Sequence, residues 1–159
     1  EKHKDEFYNL FNFILPGYNV RPTDITGVVG LEQLKKLKTI IDGRRENAKI
    51  FKKLFNNLPN LKIQQETGQS SWFGFIIILP NIEIKALFIK LLQKNNIEYR
   101  PVIAGNFCKN ATIKYYNYSI HENLDNSDII HERGIYIGNH SLNISDQLYL
   151  VRDLLMTLL

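Results

Sequence analysis

The chain has 159 residues, 44% of them hydrophobic, enough for one domain of ordinary size with a real core. Its formal charge of +4 comes from lysines and arginines scattered among acids, a balance that points weakly to an anionic ligand and away from nucleic acid. A single cysteine, Cys108, excludes an internal disulfide and a multi-cysteine zinc or iron–sulfur site, and no apolar run reaches the ~18 residues of a membrane span.

A reducing, cytoplasmic setting with no membrane partner is the expectation. Four Asn-x-Ser/Thr triplets read as chance in an asparagine-rich sequence that shows no secretory signal. The chain opens without an initiator methionine, and its only methionine is Met156, so it is expected to be part of a longer protein.

In chain order, residues 1–14 are charged and then aromatic, a lead-in too short to stand as a helix alone. Leu15-Pro-Gly-Tyr-Asn-Val-Arg-Pro-Thr-Asp24 follows. Pro16-Gly17 turns the chain, Asn19 and Arg21 offer an amide and a fixed charge, and Thr23 or Asp24 starts a helix. Such a turn can hold an anion at a helix entrance; equally, its polar side chains can satisfy local backbone.

From Asp24 to about Leu58, apolar residues recur at three- and four-residue steps and predict one long helix with a basic, solvated opposite face. Gly27 and Gly30 weaken its first turns, which is sensible where another backbone or a cofactor comes close. Its length suits a bridge between domains or the lining of an interface.

Strands are then predicted over 61–65, 71–79, 97–102 and 135–138. Helices are predicted from Ile84 to Asn95-Asn96, from Asn126 to Arg133, and beyond a Ser145 cap. Residues 104–125 read as loop. The order implies a two-layer α+β fold, a small and mostly antiparallel sheet covered by helices on one side. The domain division is 1–22, 23–58 and 59–159.

Three polar clusters sit at turns or strand ends: Tyr18-Asn19-Val20-Arg21, Arg100-Pro101 with Gly105-Asn106, and Gly138-Asn139-His140. Arg100 could fork onto a phosphate or carboxylate, or make a surface ion pair. His140 could donate to a ligand, act as an acid–base group, or be an ordinary solvated turn residue. Trp72 and Phe73 are neighbours in a strand and face opposite sides, so one of them is expected to line a pocket or a subunit interface. Cys108 is expected to fill a small buried space. No metal-ligand spacing, phosphate loop, paired carboxylates or Ser-His-Asp order appears, so the residues read as able to bind and unable to catalyse.

Leu15-Pro-Gly-Tyr-Asn-Val-Arg-Pro, followed by Gly27-Val-Val-Gly-Leu-Glu-Gln-Leu-Lys-Lys-Leu, resembles the DegT/DnrJ/EryC1/StrS nucleotide-sugar aminotransferases. Ser70-Ser-Trp-Phe-Gly-Phe, Arg100-Pro-Val-Ile-Ala-Gly-Asn-Phe and Gly138-Asn-His140 look like the branch that dehydrates GDP-4-keto-6-deoxymannose at C3. The resemblance implies the C-terminal part of a fold-type I enzyme using pyridoxal or pyridoxamine phosphate, with glutamate as amino donor and homodimeric sites shared between subunits. It implies that Asn19 reaches the cofactor phosphate with Arg21 beside it. It places Arg100, Gly105, Asn106, Asn139 and His140 against the sugar nucleotide or the amino donor; Tyr18, Trp72 and Phe73 are expected as further substrate contacts from their own positions in the sequence.

The family's cofactor lysine, or the histidine that replaces it in 3-dehydratases, belongs to the large domain and is absent from this sequence. The isolated chain is therefore expected to be inactive. A 4-aminotransferase of the same family and a stand-alone ligand-binding or dimerisation module are the alternatives.

Overall fold

Alternation in two short apolar stretches builds the centre of the molecule. The computed structural model describes residues 6–18 and 23–159. Strand β2 (Gly74–Ile78) buries Phe75 and Ile77, and strand β4 (Gly134–Gly138) buries Ile135 and Ile137. The two pair antiparallel, Phe75 opposite Ile137 and Ile77 opposite Ile135, so all four side chains share one face. Strand β1 (Lys62–Ile63) joins β2, and strand β3 (Tyr99–Arg100) joins β4, giving the antiparallel order β1-β2-β4-β3.

Helices cover the apolar face. Helix α3 (Leu37–Phe55) contributes Phe51 and Phe55, helix α4 (Ile82–Lys94) Phe88 and Leu92, and helix α6 (Ser145–Met156) Leu148, Val151 and Leu155. Phe51 stacks on both Phe55 and Phe75, with ring centroids 4.7 and 4.3 Å apart. The expected helix-covered antiparallel sheet is the architecture found.

The predicted single helix over 24–58 is divided. Helix α2 (Asp24–Leu34) ends where the Lys36 N–H donates to the Gln33 carbonyl at 3.0 Å, an i→i−3 bond that tightens the chain before α3 resumes the regular pattern. The two halves have different supports. Helix α3 is docked through Asn47, Ala48, Phe51 and Phe55, whereas α2 buries no residue among those described, so no packing carries the register across Lys35–Lys36. Beyond the chain neighbours and the helix's own backbone, no described atom lies within 4 Å of a Cβ built on Gly27 or Gly30. The basic face is also less solvated than expected, because Arg45 donates to the Gln69 and Ser70 carbonyls at 2.9 and 3.0 Å.

The edges follow local chemistry. β1 stops at two residues because the Gln64 side chain takes the next ladder position, donating to the Gly74 carbonyl at 2.9 Å and accepting from the Ile76 N–H. Replacing Gln64 with alanine should cost about 1–2 kcal/mol in urea unfolding and speed exchange of the Ile76 amide. β3 is shorter than the predicted 97–102, since Pro101 lacks a donor and Ile103 sits at φ 47°.

Helix α5 (Asp125–Arg133) runs directly into β4. Ser145 is the first residue of α6 rather than its cap; Asn143 Oδ1 accepts the Ser145 N–H at 2.9 Å instead. Helix α1 (Glu6–Asn9) and the residues after it are tied down at Phe13. The Phe13 N–H donates to Asn110 Oδ1 and its carbonyl accepts from the Thr112 N–H, both at 3.0 Å. Cys108 is half-buried. No helix among the described residues is long and apolar enough to cross a membrane.

Candidate functional site

A cleft of about 460 Å³ opens at the β3/β4 end of the sheet, between the Gly138–His140 turn, the residues leading into β3, and α6. Four of the residues expected to bind substrate line it: Phe73, Arg100, Asn139 and His140. Strand pairing brings them together, because Arg100 lies opposite Tyr136 on β4 and Gly138 ends that strand.

The Arg100 guanidinium donates to Glu98 Oε1 at 2.7 Å, and this acid raises the already high pKa of the arginine. Both reside on an exposed edge, so the ion pair orients the guanidinium without contributing much stability. Phe73 is 71% exposed, an unusual state for a phenylalanine beside a sheet. Arg44 lies 5.3 Å from its ring centroid, and the Phe73 and Tyr136 ring centroids are 6.4 Å apart.

Two buried polar atoms beside the cleft lack a partner in the described structure, the Tyr136 hydroxyl and Arg44 Nε. Burial pushes the Tyr136 phenol up, and the positive charges of Arg100 and Arg44 pull it partly back. The tyrosine ring lies over Gly74, where a Cβ would come within 2.1 Å of it. His140 is exposed, and its Nδ1 accepts the Leu142 N–H at 3.0 Å. In the neutral ring Nε2 therefore carries the proton and is the free donor.

Trp72, Gly105, Asn106 and Tyr18 do not line this cleft, and Asn139 lines it with its amide engaged. Trp72, at φ 52°, is 2% exposed inside the core, so of the aromatic pair it is Phe73 that faces the cleft. Asn139 reaches the cleft wall, but its amide is engaged internally: Nδ2 donates to the carbonyls of Trp72 at 2.8 Å and Arg44 at 3.0 Å, and Oδ1 accepts from Asn47. Asn106 donates to Asp128 Oδ1 at 2.7 Å and accepts the Cys108 N–H at 3.0 Å, fastening its loop to α5. Gly105, at φ 57°, lines a second cavity of about 200 Å³ that shares no lining residue with the cleft. Tyr18 is 97% exposed, and Asn19 and Arg21 lie outside the described residues.

Sequence reasoning missed Arg44, Tyr136 and, above all, Asn47. Asn47 is 1% exposed; its Nδ2 donates to Leu142 O at 2.7 Å, His140 O at 2.8 Å and Asn139 Oδ1 at 3.2 Å, while its Oδ1 accepts the Ile144 N–H at 3.2 Å. It holds the turn that presents His140. Its signal was legible, because Asn47, Phe51 and Phe55 share one helical face and a polar residue at a core position needs partners.

The family model for the DegT/DnrJ/EryC1/StrS aminotransferase family matches residues 1–154. The chain is 43% identical over 157 residues to the GDP-4-keto-6-deoxy-D-mannose 3-dehydratase of Escherichia coli O55:H7, covering 97% of this chain and 40% of that protein. It is 45% identical over 151 residues to the enzyme of that name from Yersinia pseudotuberculosis, covering 93% of this chain and 38% of that protein. The solved E. coli enzyme with bound hydrated PLP superposes with a TM-score of 0.80 at 43% identity, over 97% of this chain and 40% of that one. The chain thus spans about two-fifths of the length of these relatives. Matched over nearly its whole length, the chain belongs to the DegT/DnrJ/EryC1/StrS aminotransferase family.

Proposed function

We propose that this chain is the small-domain portion of a nucleotide-sugar enzyme that removes the C3 hydroxyl of GDP-4-keto-6-deoxymannose, with glutamate as amino donor. The observation that carries the reading is the cleft, where Arg100, His140 and an exposed Phe73 converge. That set suits a ligand with an anionic group, hydroxyls and a flat face. Arg100 takes an anionic oxygen of the sugar nucleotide or of glutamate, already aimed by Glu98. Phe73 offers its ring to a sugar face or a base. The His140 Nε2–H donates to a hydroxyl or ketone oxygen.

The cleft's side chains, Arg100, His140 and Phe73 among the described residues, suit the substrate. Pyridoxamine phosphate supplies the amine and electron sink for breaking the C3–O bond when bound. Asn19 and Arg21 are proposed to reach its phosphate, in a site shared with a second subunit. The division into a cofactor-contacting tail (1–22), an inter-domain helix region (23–58) and a small domain (59–159) belongs to the same proposal. The isolated chain lends binding groups and performs no turnover.

The test supplies GDP-4-keto-6-deoxymannose, glutamate and pyridoxal phosphate, first to the 159-residue chain and then to a protein of the relatives' full length that carries it. The first should be inactive and the second should release the C3-deoxygenated sugar. In the second, Arg100→Met should lower kcat/KM about tenfold, a loss of ~1.4 kcal/mol of transition-state binding. Turnover by the isolated chain, or full activity of Arg100→Met, defeats the proposal. A product that keeps its C3 hydroxyl and gains nitrogen at C4 favours the aminotransferase reading instead. That reading has its own support in a GDP-perosamine synthase from Vibrio cholerae, 31% identical over 91 residues, 55% of this chain and 24% of that protein.

A further inference from the structure

The second cavity lies between α4, α5 and residues 101–110, closed on one side by Phe7 and Phe11. Lys85 enters it from α4. With Phe88 and Leu92 it occupies the buried face of that helix, and it is 2% exposed. Its Nζ donates to the His131 carbonyl at 3.3 Å and lies 5.3 Å from the centroid of the Phe7 ring.

No carboxylate among the described residues pairs with this ammonium. Glu132, the acid whose charge acts on it, bonds Lys109 at 3.1 Å. Asp128 is taken by Lys109 at 2.9 Å and by Asn106 at 2.7 Å. The nearby imidazole of His131 carries no compensating negative charge, and its Nδ1 accepts from the Asn106 N–H at 3.4 Å. Lys85 is left with a buried charge, one long bond to a carbonyl, and two N–H groups beside an open volume. Such a group is costly unless something fills that volume. The strain registers in its acidity, for burial pushes the ammonium down to about 8.

We propose that this cavity binds a small monocarboxylate, whose two oxygens accept the N–H groups that Lys85 leaves open. One cation matches one negative charge, and the apolar wall of Phe7, Pro101, Val102 and Ile103 accommodates a short alkyl tail. A phosphate dianion would need a second free cation, and Lys109 is committed to Asp128 and Glu132. The site is separate from the cleft and does not rest on the reading given above for it.

The test is an NMR titration of the 159-residue chain with sodium butyrate, beside sodium phosphate and sodium chloride at matched ionic strength. Butyrate should shift the amides of Ala104, Gly105 and His131 saturably in the wild type and in Lys90→Met, which alters an exposed lysine of the same helix. Lys85→Met should bind at least tenfold more weakly, while its sheet resonances report an intact fold. A bound anion favours the charged amine, so saturating butyrate should also raise the Lys85 titration midpoint by about one pH unit for that tenfold preference. Equal binding by Lys85→Met, shifts that chloride reproduces, or saturation by phosphate and not butyrate would each overturn the proposal.

Discussion

Asn47→Ala is expected to lower stability by about 2–4 kcal/mol, read from the midpoint of urea unfolding at unchanged slope. The side chain is buried in α3 and is the common partner of four groups on the 139–144 turn, one side-chain oxygen, two carbonyls and one N–H. Truncation removes the donor of the three oxygens and the acceptor of the Ile144 N–H and leaves a cavity in their place. Water can satisfy some of the turn if it peels away from α3, which limits the loss and displaces His140. The exchange of the Ile144 amide should therefore rise more than that of Ile137 in β4.

Asn47→Asp should be at least as harmful. It keeps an acceptor for Ile144 but turns a donor toward carbonyls into a buried negative charge. Gly43→Ala approaches the same turn from one helical turn earlier, since its Cβ would come within 2.0 Å of the Ser141 carbonyl oxygen, a backbone atom. It should displace the same residues. If Asn47→Ala changes stability by less than about 0.5 kcal/mol, the latch is held by something else.

These contacts show where sequence reading stops. Periodicity in β2, β4, α3, α4 and α6 was sufficient to predict a helix-covered antiparallel sheet, because each element's apolar face is written locally. The break at Lys35–Lys36 was not, since it depends on α3 being docked and α2 having no such packing. Alternation predicted that Trp72 and Phe73 would part, but choosing Phe73 for the cleft required knowing that Trp72 adopts φ 52° and turns into the core beside Phe51 and Phe75. The internal hydrogen bonds of Asn106 and Asn139 were not legible for a related reason. An asparagine in a glycine-rich turn looks the same whether it meets a ligand or a distant backbone. The partners of Asn139 lie 67 to 95 residues away in sequence, out of reach of any local pattern. The cofactor and the reaction came from family resemblance, and the residues named for the cofactor phosphate, Asn19 and Arg21, lie outside the described structure.

Lys85 was legible by the same logic as Asn47, a charged residue in register with Phe88 and Leu92, and replacing it should have the opposite effect on stability. Lys85→Met is expected to stabilise the unliganded chain by about 2–3 kcal/mol at pH 7. The native pKa of about 8, against an ordinary value of 10.5, means that the folded state binds this proton more weakly than the unfolded state does. Below pH 8 both states carry the charge, and the full cost of burying it falls on the native state. Between pH 8 and 10.5 the native lysine is neutral while the unfolded one remains charged, so wild-type stability from this group rises with pH. Above 10.5 both are neutral and the cost is gone.

The advantage of Lys85→Met should accordingly be flat up to about pH 8 and shrink toward zero by pH 10.5, when urea midpoints of the two proteins are compared across that range. The bond to His131 and the contact with Phe7 oppose this gain but do not reverse it, since neither supplies a counter-charge. A methionine variant less stable than wild type at pH 7 would mean that the ammonium is already neutralised in the free protein, and would remove the reason for an anion to occupy the cavity.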